Sequence, residues 1–115
     1  MELKKYDGKP QFIEELVFRI APGQVARYLD LEAELFSEPL AHRTGFLGGE
    51  TWVSADHEGE VTSLYFWESE EAYHSLDQVW LGGQKQKMGE LMGDDAVFVR
   101  AGHTTDRRFR VREFR

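Results

Sequence analysis

The chain has 115 residues, which is enough for one domain, and it has no cysteine, which excludes disulfides, thiolate metal sites and a catalytic thiol. Fourteen basic residues against 21 acidic ones give a net charge of -7, which disfavours a phosphate-binding surface. The 41% hydrophobic and 13% aromatic content predicts a folded globular domain. The charged segment 1–10 does not resemble a signal peptide, and no window has the ~18 apolar residues of a membrane span. We therefore expect a cytoplasmic protein without membrane contact.

Positive charge is concentrated near the end of the chain. Segment 103–115 holds five arginines against Asp106 and Glu113, with Phe109, Val111 and Phe114 between them. A basic tail is typical of nucleic-acid arms, but the acidic remainder of this chain would repel a polyanion. We therefore rank a nucleic-acid partner last. We interpret the tail as a charged edge strand or a segment that docks on an acidic surface.

The first predicted elements are a strand over 11–20 and a helix after Pro22-Gly23. Both faces of the strand are partly apolar: one parity has Phe12, Leu16, Phe18 and Ile20, and the other has Ile13 and Val17. The helix has an apolar stripe made of Val25, Leu29, Ala33, Phe36 and Leu40. Pro39 is expected to kink this helix or to begin a last short turn.

Three further strands and a second helix follow. The strands are predicted over 45–54, 61–68 and 96–101, with glycines in the first of them and a polar hairpin loop over 55–59. Ser69 is predicted to cap the second helix. One face of that helix carries Tyr73, Leu76 and Trp80, and Gly82-Gly83 is expected to break it.

The order β-α-β-β-α-β predicts an α+β, ferredoxin-like fold, with a four-stranded antiparallel sheet and two helices on one face. We assign a lead-in to 1–10, the domain to 11–101 and the basic tail to 102–115. The uncovered face is predicted to hold Ile13 and Val17, with Tyr65 and Trp67 as their neighbours on the third strand. An exposed apolar patch of that size predicts a homodimer, since a second copy would cover it.

Two stretches make the chain resemble the dimeric α+β barrel superfamily, and within it the antibiotic-biosynthesis-monooxygenase-like group. The stretch 44–48, Thr-Gly-Phe-Leu-Gly, resembles the start of the group's second strand. The stretch 65–73, with its Trp-Glu-Ser-Glu-Glu-Ala-Tyr, resembles the passage from third strand to second helix. The resemblance implies dimers that press their sheets together and a small-molecule pocket between sheet and helices. Activities in the group include cofactor-independent oxygenation of polycyclic aromatics, haem degradation and isomerisation.

The resemblance also argues against haem. Members that degrade haem place an iron-ligating histidine on the second helix, where this chain has Gln84 or Gln86, and an asparagine on the first strand, where it has Leu16. Neither glutamine is a ligand for haem iron. His74 lies on the same helix but off its apolar stripe, so we expect it to face solvent. We expect no cofactor.

Catalytic candidates are few. The histidines (His42, His57, His74 and His103) show no metal-binding spacing, so no metal site is predicted. His42 is kept as a candidate because the end of a helix can border the pocket. Glu14 and Glu15 must point to opposite faces of the strand, so one of them faces an interior. That carboxylate is either a structural partner of Arg19, Arg27 or Arg100, or a general base in an apolar pocket.

The predicted pocket residues are Phe12, Leu16, Trp52, Tyr73, Trp80 and Gln84. An aromatic set of this kind favours a flat ligand, although aromatic residues at these spacings also suit an ordinary core. Two functions therefore stay open: a cofactor-independent monooxygenase acting on an aromatic or other oxidisable small molecule, and a non-catalytic dimeric domain that binds a small molecule or a partner. An open cavity with a carboxylate or His42 inside it would favour the enzyme. A cavity packed solid would favour the binding domain.

Overall fold

The computed structural model describes residues 1–6, 11–103 and 110–115. Four of its strands form one antiparallel sheet in the order β3-β4-β2-β5. The bounds of these strands are Phe12–Ile20 for β2, Phe46–Val53 for β3, Glu60–Trp67 for β4 and Ala96–His103 for β5. Strands β1 (Leu3–Lys5) and β6 (Arg112–Phe114) pair with each other in a separate two-stranded ribbon.

The helices follow the strands as the sequence predicts, with one difference. The first helical segment contains α1 (Val25–Glu32), a π-helical turn (Ala33–Ser37) and α2 (Glu38–Leu40), and the second contains α3 (Glu70–His74) and α4 (Gln78–Met92). Ser69 Oγ caps α3 by accepting from the Ala72 amide at 3.0 Å. The expected break at Gly82-Gly83 is wrong, because both glycines lie inside α4. The interruption comes earlier, where Asp77 accepts from the amides of Val79 and Trp80 and starts a new helix.

This architecture confirms the predicted α+β, ferredoxin-like fold, with the helices on one face of the sheet. Two apolar clusters lie between the layers. One is centred on Ile20, Val61, Met88 and Met92, and the other on Phe12, Leu40, Trp67 and Leu76. Residues of both clusters border the cavity described below.

The first helical segment is irregular because of Pro39. A proline has no N–H to donate to the carbonyl four residues earlier, which here belongs to Leu35. Gln84 on α4 is buried and supplies a donor, since its Nε2 lies 2.8 Å from the Leu35 oxygen. The π-helical turn lies immediately before Pro39. The side chain of Gln84 therefore ties the two helical layers together at the irregular turn.

The terminal ribbon is attached to the outer face of the sheet, the face without helices. Arg110 is the attachment point: its guanidinium lies 4.4 Å from the ring centroid of Tyr6 and 4.2 Å from that of Phe66. It also donates to Glu113 and to Gln11. The segment 104–109, including Phe109 of the predicted tail, lies outside the described residues. The division of the chain at residues 10 and 101 stays a prediction.

Two residues predicted for the outer face lie on the inner one. In the register of β2 with β4, Phe12 faces Trp67 and Glu14 faces Tyr65, so both aromatic rings point to the helices. The outer-face partners of Ile13 and Val17 are instead Phe66 and Thr62. The prediction that Tyr65 and Trp67 share a face with Ile13 and Val17 is wrong, because parity within β4 does not reveal its register against β2.

The premise of an exposed Ile13 and Val17 is also wrong. Both side chains are buried within the single chain, and Val17 has no exposed surface. Strand β2 is an inner strand, and Val17 is flanked by Thr62 on one side and Arg100 on the other. The exposed apolar side chains of this face are Trp52 and Val97, on the edge strands. Among the described residues, no helix is long and apolar enough to cross a membrane.

The tie between Gln84 and Leu35 can be tested by the variant Gln84→Met, which preserves size but removes the donor. We expect the free energy of unfolding to fall by about 1–3 kcal/mol, because a buried carbonyl loses its partner. Gln86→Met is the matched control, since Gln86 is exposed on the same helix and its side-chain amide donates to the exposed Glu90. Urea unfolding of both variants is the measurement. Equal stability of the two would contradict the role of Gln84.

Candidate active site in the cavity between sheet and helices

A cavity of about 380 Å³ lies between the inner face of the sheet and the helices. Most of the side chains that line it are apolar. The sheet contributes Glu14, Leu16, Phe18, Tyr65, Trp67, Ala96 and Phe98. The helical side contributes Tyr28, Glu32, Phe36, Leu40, Tyr73, Leu76, Leu81, Lys85, Met88, Gly89 and Gly93. Seven of these eighteen residues are aromatic, so the walls suit a flat ring system.

One wall comes from a regular spacing on the first helical segment. Tyr28, Glu32, Phe36 and Leu40 are each four residues apart. In an α-helix, a spacing of four drifts around the axis by about 40° per step. The π-helical turn over Ala33–Ser37 places an extra residue in one turn and so offsets this drift. The irregular turn therefore allows all four side chains to face one cavity.

Glu32 is held inside the cavity by hydrogen bonds. It is only 5% exposed, and its Oε1 accepts from the hydroxyl of Tyr65 at 2.6 Å. The hydroxyl of Ser37 lies 2.6 and 2.8 Å from the two carboxylate oxygens. A buried carboxylate needs such donors to stay charged. Both oxygens of Glu32 are thus engaged by the protein.

Glu14 is the second carboxylate of the cavity. Its Oε2 accepts from the hydroxyl of Tyr73 at 2.6 Å. Among the described residues its other oxygen accepts no hydrogen bond, and the side chain is only half-buried. Glu15, the next residue, points to the outer face. The interior carboxylate predicted from the sequence is therefore Glu14, and its partner is a tyrosine rather than Arg19, Arg27 or Arg100.

The tyrosines act as proton donors in this site. Burial raises the pKa of Tyr65, and the negative charge of Glu32 raises it further. Burial and the hydrogen bond to Glu14 likewise raise the pKa of Tyr73. Both hydroxyls keep their protons at any pH near neutrality and donate to the carboxylates. The proton acceptors of the cavity are consequently Glu14 and Glu32.

The structure brings together only some of the predicted pocket residues. Leu16 and Tyr73 line the cavity. Phe12 lies behind Tyr73 and stacks on its ring with a centroid distance of 4.6 Å. Trp80 lies outside the lining and contacts Arg43, whose guanidinium is 4.8 Å from its ring.

Two of the predicted pocket residues are placed elsewhere. Gln84 is buried against Leu35, outside the lining. Trp52 is 60% exposed and lies opposite Thr62 on the outer face. A register shift between Phe46 and Gly48 offsets β3 by one residue and so reverses the alternation that follows.

None of the four histidines lines the cavity. Two of them lie close to it: the rings of His74 and His103 are 5.2 and 6.4 Å from that of Tyr73, and His103 pairs with Glu14 in the register of β2 with β5. His42 is exposed and does not line the cavity, because the first helical segment turns Leu40 inward and leaves the residues after it in solvent. His74 is exposed beside Glu70, as predicted. His103 packs on Phe12 with a centroid distance of 4.4 Å. In the part of the chain that the structure describes, no three acidic or histidine side chains form a metal-binding group.

Glu32, Tyr28 and Lys85 line the cavity without having been predicted. Glu32 is one of several acidic residues in the first helical segment, and acidic residues on a helix usually face solvent. Its residue type alone therefore does not indicate that it is buried. The regular spacing of Tyr28, Glu32, Phe36 and Leu40 is the signal that could have found it, because a carboxylate within an apolar stripe is buried with it.

The pH dependence of stability tests the state of Tyr65. In the unfolded chain its pKa is near the ordinary 10.0, whereas in the folded chain it is higher. The stabilisation is therefore complete below pH 10 and is lost as the pH rises above it, because only the unfolded chain then releases the proton. We expect the free energy of unfolding of Tyr65→Phe to fall less steeply above pH 10 than that of the unaltered chain, by about 1.4 kcal/mol per pH unit. Urea unfolding at several pH values gives both slopes, and equal slopes would show that Tyr65 ionises normally.

Comparison with known proteins places this geometry in a family. A family model described as antibiotic biosynthesis monooxygenase matches residues 12–76. Among curated proteins, no sequence matches the chain. Similar solved structures include SnoaB, a cofactor-independent oxygenase from Streptomyces nogalater, at 12% identity and a TM-score of 0.68, with 88% of this chain and 97% of that chain covered.

Two further structures show the same fold. A conserved protein of unknown function from Bacteroides thetaiotaomicron is 10% identical, with a TM-score of 0.62 and coverage of 82% of this chain and 95% of that chain. A conserved protein from Methanosarcina mazei is 13% identical, with a TM-score of 0.58 and coverage of 81% and 87%. These likenesses are to the fold. The family model covers more than half of the chain, which confirms the resemblance seen in the sequence: the chain belongs to the antibiotic biosynthesis monooxygenase family.

Proposed function

We propose that the protein is a monooxygenase that oxidises an acidic C–H position of a flat aromatic compound with O₂ and without a cofactor. The observation that carries the proposal is Glu14, a carboxylate inside an aromatic cavity, one of whose oxygens accepts no hydrogen bond from the described residues. The family assignment and the fold shared with a cofactor-independent oxygenase support it.

The reaction needs only a base and a dry site. Glu14 takes a proton from the substrate CH₂ group, and the resulting carbanion is delocalised over the rings. The carbanion forms a C–O bond with O₂, and the peroxide oxygen takes the proton back from Glu14. Loss of water from this hydroperoxide leaves a carbonyl group. One oxygen atom of O₂ is then in the product and the other in water.

The other polar residues position the base and the substrate. The hydroxyl of Tyr73 fixes one oxygen of Glu14 and directs the other toward the cavity. Glu32 holds the hydroxyl of Tyr65, which faces Glu14 across the β2–β4 pair. The apolar walls offer water few hydrogen-bond partners, and a ring system that fills the cavity would displace the water that competes for the base and the carbanion.

The state of the cavity supports an enzyme over a non-catalytic binding domain. Phe12, Leu16, Tyr73 and Trp80 do not pack it solid, and it contains two carboxylates. A binding domain for an apolar ligand gains nothing from buried charges, because each one costs free energy of desolvation.

Replacement of the base tests the proposal. With anthrone as substrate, we expect Glu14→Gln to lower the catalysed rate at least about 100-fold, because the amide cannot accept the proton. Glu15→Gln is the matched control: it makes the same change one residue away, on the outer face, and should leave the rate unchanged. Oxygen uptake and formation of the quinone are measured together, with the uncatalysed rate subtracted. Isotopic ¹⁸O₂ should place one labelled atom in the new carbonyl.

No oxygen uptake above the uncatalysed rate would contradict the monooxygenase and favour the binding domain. An equal loss of activity in the two variants would show that Glu14 acts only through stability.

We also propose that the protein is a homodimer formed through the outer face of the sheet. Trp52 and Val97, on the two edge strands, support this because they stay exposed on a face where the terminal ribbon contacts the inner strand β4 through Phe66. Ile13 and Val17, which were predicted for this contact, are buried within the single chain and offer it almost no exposed surface. A twofold arrangement lets one apolar surface cover its own copy.

A charge at the edge of this face tests the dimer. We expect the unaltered protein to have the mass of two chains at micromolar concentration, and Trp52→Glu to weaken association at least tenfold by placing a charge in the contact. Val79→Glu is the control, because Val79 is 86% exposed on α4, away from the outer face. Light scattering after size exclusion gives the masses. A single-chain mass for the unaltered protein would refute the proposal.

A further inference from the structure

The cavity opens to solvent beside α4. Of the residues that line it, Lys85, Gly89 and Gly93 on the helical side and Phe98 on β5 are exposed. Gly89 has open space where a side chain would begin. The opening is thus bordered by two glycines, an aromatic ring and one long charged side chain.

Lys85 faces the opening because of its place on α4. Leu81, Lys85 and Met88 are spaced as neighbours on one helical face, and Leu81 and Met88 line the cavity on either side of it. Among the described residues that line the cavity, Lys85 is the only lysine, arginine or histidine. In the same part of the chain its ammonium group forms no ion pair.

Most charged residues around Lys85 are acidic and would repel an anion. The chain as a whole carries -7, Asp94 and Asp95 follow α4, and Glu14 and Glu32 lie deeper in the cavity. Arg27 lies near the opening, where it donates to the Leu91 carbonyl, but it does not line the cavity. Among the lining residues, Lys85 is therefore the side chain that would attract a negative substrate group. The ammonium group stands at the boundary between water and low-dielectric walls, where attraction to an opposite charge is less screened.

From this arrangement we propose that Lys85 selects flat aromatic substrates that carry a carboxylate, and holds that group at the opening while the rings occupy the cavity. The proposal rests on the proposed function, because it names the substrate class of the same site. The rings of the substrate would contact the seven aromatic side chains of the walls, and its carboxylate would pair with the ammonium group of Lys85. The reacting carbon of the substrate then lies at the end opposite the carboxylate, deepest in the cavity.

Two fluorescent probes separate the contributions of charge and shape. Anthracene-9-carboxylate and anthracene-9-methanol have the same rings and differ in charge, and neither has an acidic C–H proton for Glu14 to remove. Binding is therefore measured apart from turnover. Dissociation constants are compared for the unaltered protein, Lys85→Gln and Lys87→Gln. Lys87 is the matched control, since it is exposed on the same helix but does not line the cavity.

We expect the unaltered protein to bind the carboxylate more tightly than the alcohol, and added salt to reduce this preference. Lys85→Gln should weaken binding of the carboxylate about threefold to fivefold and leave binding of the alcohol unchanged. Lys87→Gln should change neither. Equal effects of the two variants would overturn the proposal in favour of a general effect of net charge, and weaker binding of both probes by Lys85→Gln would overturn it in favour of packing.

The outcomes also distinguish this proposal from the proposed function. If both probes bind and Lys85→Gln has no effect, the role of Lys85 is wrong while an aromatic site remains. If neither probe binds, the cavity does not take aromatic ligands, and both proposals are wrong.

Discussion

The desolvation of two carboxylates is the constraint on which the rest of this structure depends. Glu14 and Glu32 lie in a cavity whose walls are mostly apolar, where an uncompensated charge would be very costly. Each is matched by a tyrosine from another element, Tyr73 from α3 and Tyr65 from β4. The sheet and both helical segments must therefore be correctly placed for both carboxylates to be tolerated. The two carboxylates differ in their hydrogen bonds: both oxygens of Glu32 accept one, whereas among the described residues only one oxygen of Glu14 does.

The irregular first helical segment serves this arrangement. Pro39 interrupts the regular hydrogen bonding of the helix, and Gln84 from α4 donates to the carbonyl that Pro39 leaves without an amide. The π-helical turn before it aligns Tyr28, Glu32, Phe36 and Leu40 along one wall. The side chain of Gln84 is thus committed to the backbone of the neighbouring helix.

The order of strands and helices could be predicted from the sequence because local patterns determine it. The alternation in β2, the cap at Ser69 and the breaker Pro22-Gly23 all act within a few residues. The faces of β3 and β4 could not be predicted, since Tyr65 and Trp67 alternate with Leu64 and Phe66 and both sets are apolar. The bulge near Leu47, which puts Trp52 on the outer face, could not be predicted either. The register of β3 depends on its pairing with another strand, and no local pattern shows that pairing. Strand parity predicted that one of Glu14 and Glu15 faces an interior but not which one. The tyrosine partners of Glu14 and Glu32 are long-range contacts that no local pattern encodes.

The ribbon of β1 and β6 has a consequence for the order in which the chain folds. Its three residue pairs join Leu3–Lys5 to Arg112–Phe114, almost the full length of the chain apart. Closing so large a loop costs conformational entropy, and three residue pairs stabilise the ribbon too little to offset that cost alone. Once the sheet has formed, it holds the two ends of the chain close together and the cost falls. The ribbon is therefore the last part to form and the first to open, and its amide hydrogens exchange with solvent well before those of β2 and β4. Arg110, between the rings of Tyr6 and Phe66, is the contact that couples this late step to the finished sheet.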